Sequence, residues 1–225
     1  KKGDNEVLLE KTKLDDFDSV DISMTDMNLQ VVPSDDRSCY ISYQASDQTK
    51  DPMSYQVKDG KLTIQENDNT GKFYYHVDIG FLSGLLGGGP VTTDENVVTL
   101  YIPEEQEWKT ADIKTDMSNI MLNGCKIENG TVQSNSGDIY FKYCDFDNLK
   151  IDSDMGDIHF VGTEDVMGAW NIQIDTDMGD IDVDDALGGK VKEDEDDCDL
   201  SYTQKGKGGN LVIQTDSGDV SLDCR

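Results

Sequence analysis

Aspartate recurs through the second half of the chain at a spacing that would bring carboxylates side by side. Asp138, Asp157, Asp180 and Asp219 each stand immediately before an aliphatic residue, and Asp154, Asp177 and Asp216 stand three residues further upstream in their own copies. If the copies stack, each row places like charges on neighbouring layers. At roughly 5 Å in water each adjacent pair repels by about 0.8 kcal/mol. Calcium, which takes six to eight oxygens, would relieve that repulsion. The other role open to these carboxylates is to accept N–H groups of the turns they sit in. The glycine-rich nonapeptide of calcium-binding β-rolls is absent, which favours the turn role; calcium or another cation along this acidic ladder is the one cofactor the residues suggest.

Other reactive side chains are sparse. Neither His76 nor His159 belongs to a nucleophile motif, and His159, between Ile158 and Phe160, should point outward into solvent. Paired acids are what glycoside hydrolysis needs. These acids instead repeat as a turn rule would require, and no arginine lies between Arg37 and Arg225. No catalytic residue is assigned. The run Glu193–Asp197 is the densest acidic stretch, a solvated face or a cation site. The five cysteines (Cys39, Cys125, Cys144, Cys198, Cys224) lack CxxC spacing, which argues against zinc and thioredoxin-like chemistry. Cys125 and Cys144 should be vertical neighbours, as buried thiols or as a disulfide. Phe81, Leu82, Leu85 and Leu86 lie in a glycine-rich apolar stretch. It could bind a partner, self-associate, or cover an edge of the fold.

A repeat must position these groups. Asn135-Ser-Gly-Asp-Ile139, Asp154-Met-Gly-Asp-Ile158, Asp177-Met-Gly-Asp-Ile181 and Asp216-Ser-Gly-Asp-Val220 vary one phrase, with weaker copies ending at Ile120 and Leu200. Steps between the final aliphatic residues are 19, 19, 23, 19 and 20. Two positions after this anchor stand Leu122, Phe141, Phe160, Val183, Tyr202 and Leu222; seven before it stand Ile113, Val132, Ile151, Ile174, Glu193 and Ile213. Alternation on both sides of a Gly-containing turn describes two strands meeting at a corner. Ile127, Phe146, Val166 and Leu187 suggest a third, shorter side. The expected fold is all-β: a single-stranded parallel β-helix (β-solenoid) of about 19–20 residues per coil.

The first half is looser. Val20–Ile22 and Leu29–Val31 match one repeat, while Asp59–Gly60 between Ser54–Lys58 and Lys61–Gln65 reads as a hairpin turn. Further strands are expected at Tyr40–Tyr43, Phe73–Ile79 and Val97–Ile102. One domain is expected: a polar segment 1–13, degenerate coils with antiparallel strands over 14–110 including an apolar insertion at 68–96, and regular coils over 111–225.

The 225 residues carry a net charge of −28, which repels nucleic acid and anionic lipid. The most apolar stretch, Phe81–Val91, is too short and glycine-rich to span a bilayer, so direct membrane insertion is not expected. The sequence opens on polar Lys1-Lys2-Gly3-Asp4-Asn5 without Met. An N-terminal signal or anchor preceding it is the expectation.

Phe17-Asp-Ser-Val-Asp-Ile22, Asp59-Gly-Lys-Leu-Thr-Ile64, Val98-Thr-Leu-Tyr-Ile-Pro103 and the repeated Ser/Met-Gly-Asp-Ile, in that order, resemble a bacterial family. It is the putative-adhesin family of β-strand-repeat domains of unknown function, and the resemblance runs from about Leu14 to Cys224. It implies a cell-envelope location and supplies no catalytic residues. The function expected is a non-enzymatic surface module for binding or spacing, with a protein or glycan as partner. The alternatives are the sensory head of an envelope-regulatory membrane protein and a polysaccharide-degrading β-helix enzyme.

Overall fold

Each regular repeat folds as a long strand, a tight corner and a short strand, and the two strands join different sheets. β10 (Lys126–Ser134) buries Ile127, Gly130 and Val132, turns over Asn135–Asp138 and continues as β11 (Ile139–Lys142), which buries Ile139 and Phe141. β8 (Glu107–Thr115) with β9 (Ile120–Asn123), and β12 (Asp145–Ser153) with β13 (Ile158–Gly162), do the same. These three coils stack parallel and in register, so Ile113, Val132 and Ile151 form one ladder and Ile120, Ile139 and Ile158 another. Phe141 and Phe160 stack with ring centroids 4.8 Å apart and planes 4° from parallel. A one-residue slip would turn every such ladder outward, so burial fixes the register.

The structure is a computed structural model and describes residues 7–45, 52–67, 96–104, 106–193 and 199–225. Among them, nine strands form one sheet, here sheet I, and ten form the facing sheet II. The cross-section is two-sided. Ile127 and Phe146, expected on a third side, are the first inward residues of the nine-residue strands β10 and β12. Val166 lies exposed in the one-turn helix α1 (Glu164–Met167), and Leu187 is buried in the segment that follows the strand Ile181–Val183.

Coil order in space departs from order in sequence at the C-terminal end. After α1 the chain lays down β14 (Asn171–Thr176) and β15 (Ile181–Val183), then a hairpin of β16 (Lys190–Glu193) and β17 (Leu200–Gln204). Only then come β18 (Asn210–Thr215) and β19 (Val220–Cys224). They enter between the earlier layers: β18 pairs with β12 and β14, and β19 with β13 and β15, all parallel. The anchors therefore stack 120, 139, 158, 220, 181. The copy ending at Leu200 is not a coil. β17 runs antiparallel to β14, with Leu200 opposite Thr176, and β16 is exposed along its length. That copy has Glu195 where all the others have Ser or Thr, and Cys198 where they have glycine or, in the Ile120 copy, Ser118, so it lacks the hydroxyl of the corner described below.

At the other end, β2 (Ser19–Met24) and β3 (Asn28–Pro33) stack on β8 and β9. β6 (Lys61–Glu66) and β7 (Asn96–Ile102) lie outside them. Antiparallel strands finish this end. β5 (Met53–Lys58) pairs with β6 across Asp59 and Gly60, both at positive φ (52° and 74°), as the hairpin reading expects. β4 (Tyr40–Ala45) pairs with β7, and β1 (Val7–Lys13) with β4. One hydrophobic core runs the length of the stack, from Leu14 and Phe17 to Val220 and Leu222.

Candidate functional site

The corner assigns the aspartates a definite task. Along the row before the anchor, each side-chain oxygen accepts the backbone N–H of its counterpart on the next layer. Asn28 Oδ1 accepts from Asn119, Asn119 from Asp138 and Asp138 from Asp157, at 3.0, 2.9 and 2.9 Å. Asp157 Oδ1 accepts from Asp219 and Asp219 from Asp180, at 3.0 and 2.8 Å. The backbone carbonyls of the same residues accept from the anchors, as in Ile139 N–H to Asp157 O at 2.9 Å. The turn-capping role is thus met between layers, one acid bridging to the next coil. Residues of the upstream row meet through their backbones, with Asn135 Nδ2 also donating to Asp116 Oδ1 at 2.8 Å. Among the described residues no group of three or more His, Cys, Asp and Glu side chains forms a metal-ion cluster.

Behind this row lies a buried one that the repeat alignment above does not use. Thr115, Ser134, Ser153, Thr176 and Thr215 stand five before their anchors and are buried polar residues. Ser134 Oγ accepts the N–H of Gly137 and donates to its carbonyl, both at 3.1 Å; Thr115 closes onto Ser118 and Thr215 onto Gly218. Each hydroxyl satisfies corner groups that would otherwise be buried unpaired. The glycines of the phrase answer to the same crowding. A Cβ at Gly137, Gly179 or Gly218 would overlap the backbone of the adjacent corner, and only Gly156 also has positive φ, at 118°.

The N-terminal layer solves the corner differently. Here the acceptor for the N–H groups of Thr25–Met27 comes from the end of β6. Glu66 supplies it. Its Oε2 accepts from Thr25, Asp26 and Met27 N–H at 2.6, 2.9 and 3.1 Å. Burial pushes the Glu66 carboxyl above its ordinary range, and these three hydrogen bonds pull it back in part.

The remaining reactive groups are packed. His159 is half-buried on the outer face of sheet I, stacked on Tyr140 at 4.7 Å with Nδ1 2.7 Å from Ser221 Oγ. It points away from the core as expected but onto neighbours, not into open solvent. Cys125 and Cys144 are vertical neighbours, both buried free thiols. Cys125 N–H donates to Cys144 Sγ at 3.4 Å, and contact with Cys144 together with burial raises the Cys125 thiol. Burial pushes Cys39 up to about 11. Neither Cys39 nor Cys125 is primed as a thiolate. Glu193 is exposed, while Cys198, the rest of the acidic run at 194–197, His76, the strand expected at 73–79 and the apolar residues Phe81, Leu82, Leu85 and Leu86 lie outside the described residues. No helix among the described residues is long and apolar enough to cross a membrane.

The outer face of sheet II carries a feature that the anchor alignment passes over. Two outward rows run across β8, β10, β12 and β18. One is Thr110, Asn129, Asn148 and Asn210, continued on β14 by Asn171; the other is Asp112, Thr131, Lys150 and Val212. Between them lies an open groove of about 460 Å³. Its first wall is a hydrogen-bonded amide ladder: Asn148 Nδ2 donates to Asn129 Oδ1 at 3.0 Å, Asn210 to Asn148 at 2.9 Å and Asn171 to Asn210 at 3.3 Å. Those four asparagines stand ten before their anchors, a signal available in the sequence. The same face gathers four of the five ion pairs among the described residues: Lys61–Asp21, Lys109–Asp18, Lys114–Asp112 and Lys150–Asp152. In a chain of net charge −28, this is a face on which charges are matched.

The family model described as Toastrack DUF4097 matches residues 17–225. Among solved structures, one described as a putative cell adhesion protein from Clostridium sporogenes ATCC 15579 superposes with a TM-score of 0.63 at 12% identity, covering 99% of this chain and 100% of that one. A putative adhesin from Bacteroides fragilis NCTC 9343 gives a TM-score of 0.41 at 12% identity, over 96% of each chain. A putative lipid binding protein from Parabacteroides distasonis ATCC 8503 gives 0.29 at 11% identity, over 98% of each chain. No curated protein matches.

Proposed function

For this chain, which belongs to the Toastrack DUF4097 family, we propose the role of a non-enzymatic binding module displayed at the cell surface. The observation that carries the reading is the outer face of sheet II: a charge-matched surface with a patterned groove running across the stacked coils. The corner chemistry supports the non-enzymatic part. Asp138, Asp157 and Asp219 each commit an oxygen to the next layer, so the repeated acids serve the fold instead of converging on a substrate. The adhesion named for the Clostridium structure agrees with this reading by analogy of fold.

A membrane-impermeant amine label applied to intact cells of the source organism tests the location. The chain's 17 lysines give the reagent ample targets. Labelling before lysis is the expected result; labelling only after lysis would overturn the proposal.

Calcium along Asp138, Asp154, Asp157, Asp177, Asp180, Asp216 and Asp219 is a subordinate part of the same reading. The oxygens not used in the ladder would be its ligands. Thermal unfolding in calcium against chelator, at matched ionic strength with a magnesium control, decides it. A calcium-specific rise in midpoint supports a bound ion, and a rise shared with magnesium or salt assigns the row to interlayer bonding alone.

A further inference from the structure

We propose that the groove on the outer face of sheet II binds a neutral polysaccharide lying along the stack axis. The inference deepens the surface-module reading and takes its biological setting from it, but the chemistry is that of the groove. A sugar hydroxyl donates and accepts at once, and a primary amide offers a donor and an acceptor side by side to meet it. Asn148 uses one N–H towards Asn129 and one lone pair towards Asn210. It retains a second N–H and a second lone pair for the groove. The ladder also holds the amides in one orientation, so little ordering remains to be done on binding.

Spacing favours a polymer over a single sugar. Strands lie about 4.8 Å apart, close to the rise per residue of an extended β-linked pyranose chain. Successive sugars would then meet Thr110 and the three amides Asn129, Asn148 and Asn210 on one wall, with Asp112, Thr131, Lys150 and Val212 opposite. Three strand steps give a run of about 14 Å. The groove is open along its length, as a chain longer than the site requires.

Charge selects the class. Asp112 and Lys150 are the two charged residues lining the groove, and they cancel. The field of a chain at −28 repels polyuronates, polyphosphates and nucleic acids before they reach it. A polycation would find the aspartates of this face already engaged by lysines. An uncharged hydroxylated polymer is the ligand that loses nothing to either effect.

Affinity electrophoresis of the full chain tests this, in native gels carrying hydroxyethyl cellulose, a β-1,4-mannan or a β-1,3-glucan, with polygalacturonate as charge control. The expected result is retardation by at least one neutral polymer. Asn148→Leu should weaken it roughly tenfold, the loss of one or two hydrogen bonds. Thr131→Arg, which leaves the amide ladder intact and fills the groove from the opposite wall, should weaken it at an unchanged thermal midpoint. Retardation by none of the neutral polymers, retardation undiminished in Thr131→Arg, or preference for polygalacturonate would each overturn the proposal. The experiment uses purified protein, so its failure sinks the groove while leaving surface display standing, and failure of the cell-labelling experiment does the reverse.

Discussion

The three central coils and the C-terminal layers share one corner, the N-terminal layer closes its own with Glu66, and the middle and the two ends of the stack are wound by different rules. From β8 to β13 each coil lies on the one made just before it, offset by 19 residues. At the C-terminal end a layer is skipped and filled last, by β18 and β19. At the N-terminal end β2 and β3 acquire a neighbour on one side from β6 and β7 and on the other from β8 and β9. The corner phrase therefore dictates how a coil is built, not which coil it stacks on. Identical ladders fit either neighbour, and the connecting segments choose.

The largest effect that would sharpen this contrast is expected from paired cavities. Leu122 and Leu222 are both fully buried at equivalent positions, one in a sequential layer and one in the inserted layer. Either change to Ala should cost about 2–5 kcal/mol in urea unfolding. Hydrogen exchange should separate them: Leu222→Ala is expected to speed exchange in β14–β17 while β8–β11 stay protected. Equal acceleration throughout would show that the inserted layer is not a separate closure.

Corner crowding comes next. Gly137→Ala and Gly218→Ala each force a Cβ towards the backbone of the neighbouring corner, at a cost of about 1–3 kcal/mol by the same measurement. Were either tolerated without loss, the corners would have room that the geometry denies them.

A smaller effect tests the interlayer bond. Asp157→Ala removes the acceptor for Asp219 N–H and should cost about 1 kcal/mol. Asp157→Asn should cost nothing, since Asn28 and Asn119 already do this work at the N-terminal end, and it lowers repulsion within the row. A loss in the Asn variant matching that in Ala would mean that the charge, not the acceptor, is what the layer needs.

The last prediction concerns Glu66, whose carboxyl is raised by burial. The folded state then holds a proton more tightly than the unfolded one, so this group's contribution to stability falls as pH climbs from the ordinary glutamate value through the raised one. Glu66→Gln should remove that slope, read as the difference between the two thermal-midpoint profiles. Parallel profiles would contradict the assignment.

Much of the corner is legible because its requirements are chemical and local. Glycine, an Asx residue and an aliphatic anchor recur because backbone crowding, the interlayer N–H and the core each demand one kind of side chain. The Ser/Thr row was equally legible, and its break at Glu195 marks the Leu200 copy as something other than a coil. Stacking order was not legible. It depends on contacts such as Gly206 and Gly208 lying against the backbone of Ala169, which no periodicity reports. The asparagine row passed unread because outward residues do not contribute to the hydrophobic pattern on which a repeat is aligned. His159 shows the same blind spot: alternation gives the direction of a side chain but not what its neighbours on the outer face will do.

The inserted layer bears on how such a molecule can change length. Because β18 and β19 close the C-terminal end from within, shortening the chain by its last repeat would take away an interior layer and leave two unmatched surfaces facing each other. Units gained or lost by duplication are tolerable only among the sequential coils, where a 19-residue segment carries its own hydroxyl, glycine and acid and returns the chain to the same register. The two ends are fixed fittings, and the middle is the part that can be lengthened.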